Sequence, residues 1–158
     1  MRIAAAFDHK GVKLRDVVFG AIRAAGHEPL DLGTDTDAQR VDYPDKASEL
    51  GVAIRRGEAE RGVLVCGSGV GASIAASKIP GIRAAICHDG YSAHQGVEHD
   101  DMNVLCLGAE VVGGELAAEL VRTFAGARFI GEGRYLRRLE KMESLERTVE
   151  GLTEKGRS

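Results

Sequence analysis

The chain has no tryptophan, and aromatic residues make up only 4 % of it. Surfaces that read single-stranded nucleic acid stack bases on aromatic rings, so this composition argues against one. Strong positive charge is also missing. The net charge is −3 at pH 7, which gives no general attraction to nucleic acid or to an acidic membrane. No apolar run approaches the ~18 residues that a membrane-spanning helix needs. The opening residues hold one arginine but no long apolar segment and no small-residue cleavage site, so a cytoplasmic protein is expected. Cysteine is sparse and odd in number: Cys66, Cys87 and Cys106 have no paired metal spacing. Free thiols in a reducing compartment are expected, rather than a disulfide framework or a metal site. Internal repeats and low-complexity segments are lacking too.

What is present is an ordinary globular composition, 44 % apolar and 28 % charged over 158 residues, enough for one domain with a real core. Short apolar runs at residues 2–7, 28–32, 62–66, 83–87 and 103–107 read as strands. Helical spacing of apolar residues falls between them, at residues 14–25, 42–57, 72–78, 91–98 and 115–124, with Gly96 weakening the fourth helix. Strands alternating with helices predict a parallel sheet covered on both faces, a three-layer α/β sandwich of five strands. Ligands of such sheets bind beyond the carboxyl ends of the strands, at a topological switch point. Asp8-His9, Asp42-Tyr43, Cys66 with its loop, His88-Asp89 and the His99 region are expected to collect there. After residue 126 the pattern changes. Leu136, Leu139, Met142, Leu145, Val149 and Leu152 form a helical apolar stripe. Residues 127–158 read as an arm and helix of the same domain that contact a second copy in a homodimer, with packing on the chain's own body as the other reading. The last three residues read as frayed.

The chain is organised around Val63-Leu-Val-Cys66-Gly-Ser-Gly-Val-Gly71-Ala-Ser-Ile-Ala-Ala-Ser-Lys78. A buried strand runs into a loop in which Gly67, Gly69 and Gly71 alternate with Ser68 and Val70, and a small-residue helix follows. Glycines let backbone approach a ligand closely, and the free N–H groups of a helix start favour negative charge. Cys66 stands at the mouth, where a helix N-terminus tends to favour the thiolate. This is a site for an anionic ligand or intermediate, with Cys66 as base or nucleophile; a buried strand-end cysteine over a tight turn is the other reading. Ser68 is either a donor to a developing oxyanion or a turn residue. His99 lies in Glu98-His99-Asp100-Asp101, read as a polar stretch before a strand and suited to proton transfer or simply solvated. His27 reads as surface, and Lys10, Lys13 and Arg15 as solvated. Arg134 and Arg138 stand one helical turn apart and suit a phosphate dianion, although Arg137 marks the segment as basic throughout.

These residues resemble the ribose-5-phosphate isomerase type B and galactose-6-phosphate isomerase family over about nine tenths of the chain. The matching pieces come in family order. Phe7-Asp8-His9-Lys10-Gly11, Asp31-Leu-Gly-Thr34, Asp42-Tyr-Pro-Asp45 and Cys66-Gly-Ser-Gly-Val-Gly71 are followed by Cys87-His-Asp89, Tyr91-Ser-Ala93, Glu98-His99, Asn103-Val-Leu-Cys-Leu-Gly108 and Gly133-Arg134 with Arg137-Arg138. The resemblance implies a Rossmann-like fold and a cofactor-free, metal-free aldose–ketose isomerase of phosphorylated sugars. It implies homodimers with sites built from two subunits; a tetramer is the other assembly state left open. Cys66 matches the base that moves a proton between C1 and C2 through an enediolate; members without it use a glutamate where Ala72 stands here. His99 matches the histidine that assists ring opening. Asp8, His9, Tyr43 and Asp100 match substrate-contacting positions, Gly67, Ser68, Gly69, Val70 and Gly71 the loop that holds the enediolate, and Arg134 and Arg138 the phosphate-binding arginines.

Four departures bear on the sugar rather than on the reaction. Asp100 stands where asparagine is usual and Glu110 where arginine is common. Tyr135 replaces a frequent histidine, and His94-Gln95-Gly96 replaces a segment that often begins with arginine. Exchange of arginine for glutamate changes local charge by two units, so Glu110 either points away or shifts the substrate. Ribose 5-phosphate and ribulose 5-phosphate are the default pair, with a tetrose 4-phosphate such as erythrose/erythrulose or a hexose 6-phosphate as the alternative. A non-catalytic sugar-phosphate-binding protein is the rival of another class.

Overall fold

The structure, a computed structural model, describes residues 1–155, with side chains to residue 148. The expectation of a frayed end and the Val149 and Leu152 part of the apolar stripe lie outside the described residues. The strands are β1 (Arg2–Phe7), β2 (Glu28–Asp31), β3 (Arg61–Cys66), β4 (Ala84–Ile86) and β5 (Val104–Gly108). The helices are α1 (Arg15–Ala24), α2 (Tyr43–Arg55), α3 (Val70–Ala76), α4 (Gly90–Asp100), α5 (Gly114–Gly126) and α6 (Gly133–Lys155). All strand pairs are parallel, in the order β2-β1-β3-β5-β4. From β1 the chain moves outward to β2, and from β3 outward on the other side. The switch point is therefore the crevice between the carboxyl ends of β1 and β3, after Phe7 and Cys66.

Each strand has a period of two, which divides the core. Ile3, Ala5, Phe7, Val63, Val65, Leu105 and Leu107 pack on Val18, Ile22, Val97, Leu120 and Phe124 of α1, α4 and α5. Ala4, Ala6, Leu64, Cys66, Val104 and Cys106 pack on Ala47, Leu50, Ala72 and Ala76 of α2 and α3. This is the expected Rossmann-like three-layer sandwich with an appended C-terminal helix. No described helix is long and apolar enough to cross a membrane.

The amino edge of the sheet is closed by charged side chains with assigned partners. The Arg61 guanidinium donates to the carbonyls of Phe124 at 2.7 Å and Ala127 at 2.9 Å, and lies over the Phe124 ring. It thus satisfies carbonyls that the end of α5 leaves without helical partners. Burial lowers its pKa, and nearby Asp101 opposes that shift. Arg83 pairs with Asp101 at 2.6 Å, and the Asn103 side chain bridges Arg83 and Gly81.

Several boundaries differ from expectation for local reasons. A 3-10 turn at Gly11–Leu14 precedes α1, because the Asp8 carboxylate accepts from the N–H groups of Lys10 and Gly11. α3 begins at Val70, so Gly71 lies inside it. α4 runs two residues past its expected end at Glu98, to Asp100, which places His99 and Asp100 in a helix rather than a loop. Gly96 does not break it: Met102 packs where a Cβ would stand, and Asp101 ends the helix with φ 50°. His27 is half-buried rather than superficial, with Nε2 at 3.3 Å from the Ala125 carbonyl. α6 packs against α4, and Glu146 accepts from the Gly81 N–H at 2.9 Å. Its cover is incomplete: Leu139 is 8 % exposed but Leu145 is 64 % exposed.

Candidate active site

A cleft of about 690 Å³ opens at the switch point, within the ~300–1,000 Å³ typical of small-molecule sites. Cys66 ends β3 at its floor and is 3 % exposed. The Gly69 N–H donates to Cys66 Sγ at 3.2 Å, which aims the sulfur along the loop. Gly69 has φ 82°, and a Cβ there would lie 3.0 Å from the Leu107 carbonyl carbon, so glycine is required on both counts. The loop closes on β5: the Ala109 and Glu110 N–H groups donate to the carbonyls of Cys66 and Gly67. Ser68 Oγ accepts from the Val70 N–H at 3.2 Å, which is the turn role, and Ser68 also lines the cleft.

The opposite wall comes from β1 and α2. Asp8 is buried, and one of its carboxylate oxygens serves the turn below it. The His9 ring is tied through Nδ1 to the Val41 backbone: one tautomer donates to the carbonyl at 3.1 Å, the other accepts from the N–H at 3.3 Å. The Tyr43 ring lies flat against Gly71, where any Cβ would collide with it. Tyr43 thereby covers the first turn of α3 at Gly71. Asp8, His9, Tyr43, Cys66, Gly67, Ser68, Val70 and Gly71 are thus brought together.

Sequence reasoning missed part of the lining. Lys10, read as solvated, covers Gly67, and Arg40, which the sequence did not single out, stands on the rim. Position directly after Asp8-His9 at a strand end was the available signal for Lys10. Lys13 pairs with Glu110 at 3.1 Å, and Arg15 pairs with Asp31 beside Phe19. Glu110 is among the residues that line the cleft with Cys66, and its carboxylate is turned to Lys13.

The other two cysteines are spent elsewhere. Burial, with Asp89 adding, pushes the Cys87 thiol up to about 11, and it sits 3.8 Å from Met102 Sδ. Burial likewise raises Cys106 in the core. His88 Nε2 accepts from the Gly108 N–H at 3.0 Å, and burial holds its imidazole below the ordinary value.

His99, Asp100, Arg134 and Arg138 do not join the cleft of their own chain. α4 leaves the carboxyl end of β4 and runs back, so its last turn lies at the amino edge, roughly 16 Å of helix away. There His99, Arg134 and Arg138 form a second group around Tyr135. The His99 ring is 4.7 Å from Tyr135, and the guanidinium groups of Arg134 and Arg138 lie 4.9 and 6.0 Å from the same ring.

Comparison with known proteins identifies the family. The family model described as Ribose/Galactose Isomerase matches residues 3–142. Ribose-5-phosphate isomerase B of Escherichia coli K12 is 42 % identical over 145 residues, covering 92 % of this chain and 96 % of that protein. D-erythrulose-4-phosphate isomerase of Pectobacterium atrosepticum is 38 % identical over 133 residues, covering 84 % and 88 %. The structure of type B ribose 5-phosphate isomerase from Trypanosoma brucei superimposes with a TM-score of 0.88 at 42 % identity, covering 91 % of this chain and 97 % of that one. Ribose-5-phosphate isomerase B of Clostridium thermocellum gives 0.89 at 40 % identity, covering 94 % and 99 %. On the match of nearly its whole length, the chain belongs to the ribose/galactose isomerase family.

Proposed function

We propose that this isomerase interconverts an aldose phosphate and its ketose through an enediolate, with Cys66 as the base. The observation that carries this reading is Cys66 Sγ on the floor of the switch-point cleft, held by the Gly69 N–H beside the start of α3. For an aldose, the Cys66 thiolate takes the C2 proton and the electron pair forms the C1=C2 bond with charge on O1. The O2 proton passes to O1, and Cys66 returns its proton to C1, leaving a C2 ketone. The loop of residues 67–71 keeps its Gly69 N–H on Cys66 Sγ and its Val70 N–H on Ser68 Oγ, and its other N–H groups oppose charge that exists only in the intermediate, which is where binding energy accelerates the step.

A furanose must open first: the C1 hydroxyl loses a proton, the bond from C1 to the ring oxygen breaks, and that oxygen gains a proton. His99 is assigned to this relay, Arg134 and Arg138 to the phosphate, and Asp100 to the sugar. Their distance from Cys66 within one chain supports a homodimer in which these four residues of one subunit complete the cleft of the other. The apolar residues left open around the cleft, Val70 at 49 %, Ile74 at 57 % and Val111 at 59 % exposure, fit cover by a second copy.

Ribose 5-phosphate is the first substrate, on similarity to the ribose-5-phosphate isomerases. A tetrose 4-phosphate is the second reading, favoured by Glu110 inside the cleft and by similarity to the Pectobacterium enzyme. Proton NMR in D₂O with four-, five- and six-carbon aldose phosphates tests both. Conversion of ribose 5-phosphate with deuterium entering the exchanging carbon is expected. Faster turnover of a tetrose phosphate moves the substrate and keeps the mechanism. Binding without exchange contradicts catalysis.

A further inference from the structure

We infer that Tyr135 is a positioning residue that holds the ring-opening histidine and the phosphate-binding arginines as one preformed group. The inference rests on the roles given above to His99, Arg134 and Arg138. Three side chains from two helices converge on one ring, His99 from α4 and the two arginines from α6. Both arginines are exposed and neighbouring, so alone they would repel each other and sample many rotamers. The negative face of an aromatic ring attracts guanidinium groups and offsets that repulsion. Arg134 Nη2 also donates to the Tyr135 hydroxyl at 2.9 Å, which fixes its direction. Tyr135 has only two side-chain torsions and is half-buried, so it loses little freedom in holding them.

The ring and the hydroxyl therefore have separable tasks. The hydroxyl aims Arg134 and so acts on phosphate binding. The ring seats His99 and so acts on opening of the furanose. Loss of positioning at a reacting group costs far more than loss of a rim contact, up to ~100-fold for a shift of about 1 Å.

The test compares wild type, Tyr135→Phe and Tyr135→Ala on two substrates. One is ribose 5-phosphate, which must be opened. The other is 4-deoxyribose 5-phosphate, which lacks the ring-forming oxygen and keeps the phosphate. Tyr135→Phe is expected to raise KM for both by about 5-fold, one hydrogen bond's worth, and to keep the ratio of their kcat values. Tyr135→Ala is expected to raise both KM values further and to lower kcat for ribose 5-phosphate about 10-fold more than for the open-chain analogue. Equal losses of kcat on both substrates in Tyr135→Ala would overturn the assignment, as would wild-type kinetics in either variant. If the wild type turns over neither sugar, the ribose 5-phosphate reading fails, and that result is distinguishable because it precedes any variant.

Discussion

At the scale of the residue, the account rests on one sulfur and the charges around it. Cys66→Ala is expected to lower kcat for isomerisation by at least ~100-fold, the usual contribution of a positioned base. Calorimetry should still detect sugar-phosphate binding; full turnover by that variant removes Cys66 as the base. Glu110 places a negative charge in a cleft meant for an anion, partly offset by Lys13 at 3.1 Å. Glu110→Gln removes it and frees Lys13, so KM for phosphorylated sugars should fall several-fold at low salt and less at high salt. An unchanged KM across ionic strength would place the substrate clear of this wall.

His88 sets a pH dependence of stability. Burial lowers its imidazole below about 6.5, so the unfolded chain accepts a proton that the folded chain resists. Stability is then full above that value and declines as pH falls through it. Urea unfolding at pH 7.5 and pH 5.5 should show this loss. His88→Gln, which keeps an acceptor for the Gly108 N–H without a titrating ring, should show less of it. Equal losses in both proteins contradict the assignment.

At the scale of the element, the most constrained piece is the turn from β3 into α3. Gly69→Ala adds a Cβ at positive φ against the β5 backbone. A cost of roughly 1–3 kcal/mol is expected in thermal unfolding, with loss of turnover even at temperatures where the variant is folded. A stable and fully active variant would show that the loop does not need this conformation.

The elements themselves were legible in the sequence, because buried parallel strands are short apolar runs and helices carry their own period. Boundaries moved where a side chain took a backbone partner. Asp8 folds the chain into a turn before α1, Asn103 bridges ahead of β5, and Met102 fills the space beside Gly96 that reads as a weak point. The cleft was legible through its glycines and Cys66. Lys10 was legible only through its place directly after Asp8-His9 at a strand end, and Arg40 was not legible, since nothing in its own stretch of sequence says whether its side chain covers a ligand site or water. Tyr135 was visible only as a departure from the family pattern; its contacts with three other residues need the fold.

At the scale of the whole molecule, the parallel sheet separates the two reactive groups. Cys66 and its loop lie at the carboxyl ends of the strands, and His99 with the arginines lies at the amino edge. A helix that runs antiparallel to its strand cannot bring both to one place in one chain. α6 adds to the picture by resting on α4 while leaving Leu136 and Leu145 exposed. Symmetric dimers place the same patch of each subunit against the other, so one interface completes two clefts. Sedimentation at micromolar concentration should therefore give twice the mass of one chain or a multiple of that. A persistent monomer with full activity would require the far group to be dispensable.

The most direct measurement uses two damaged chains. Cys66→Ala and His99→Ala carried on separately tagged copies, purified together as a heterodimer, give one cleft that has lost both groups and one that has kept both. Turnover of ribose 5-phosphate at about half the wild-type rate per dimer is expected, against near-zero rates for each homodimer. A heterodimer as inactive as its parents would mean that Cys66 and His99 of the same chain must work together, and would contradict a site assembled from two subunits.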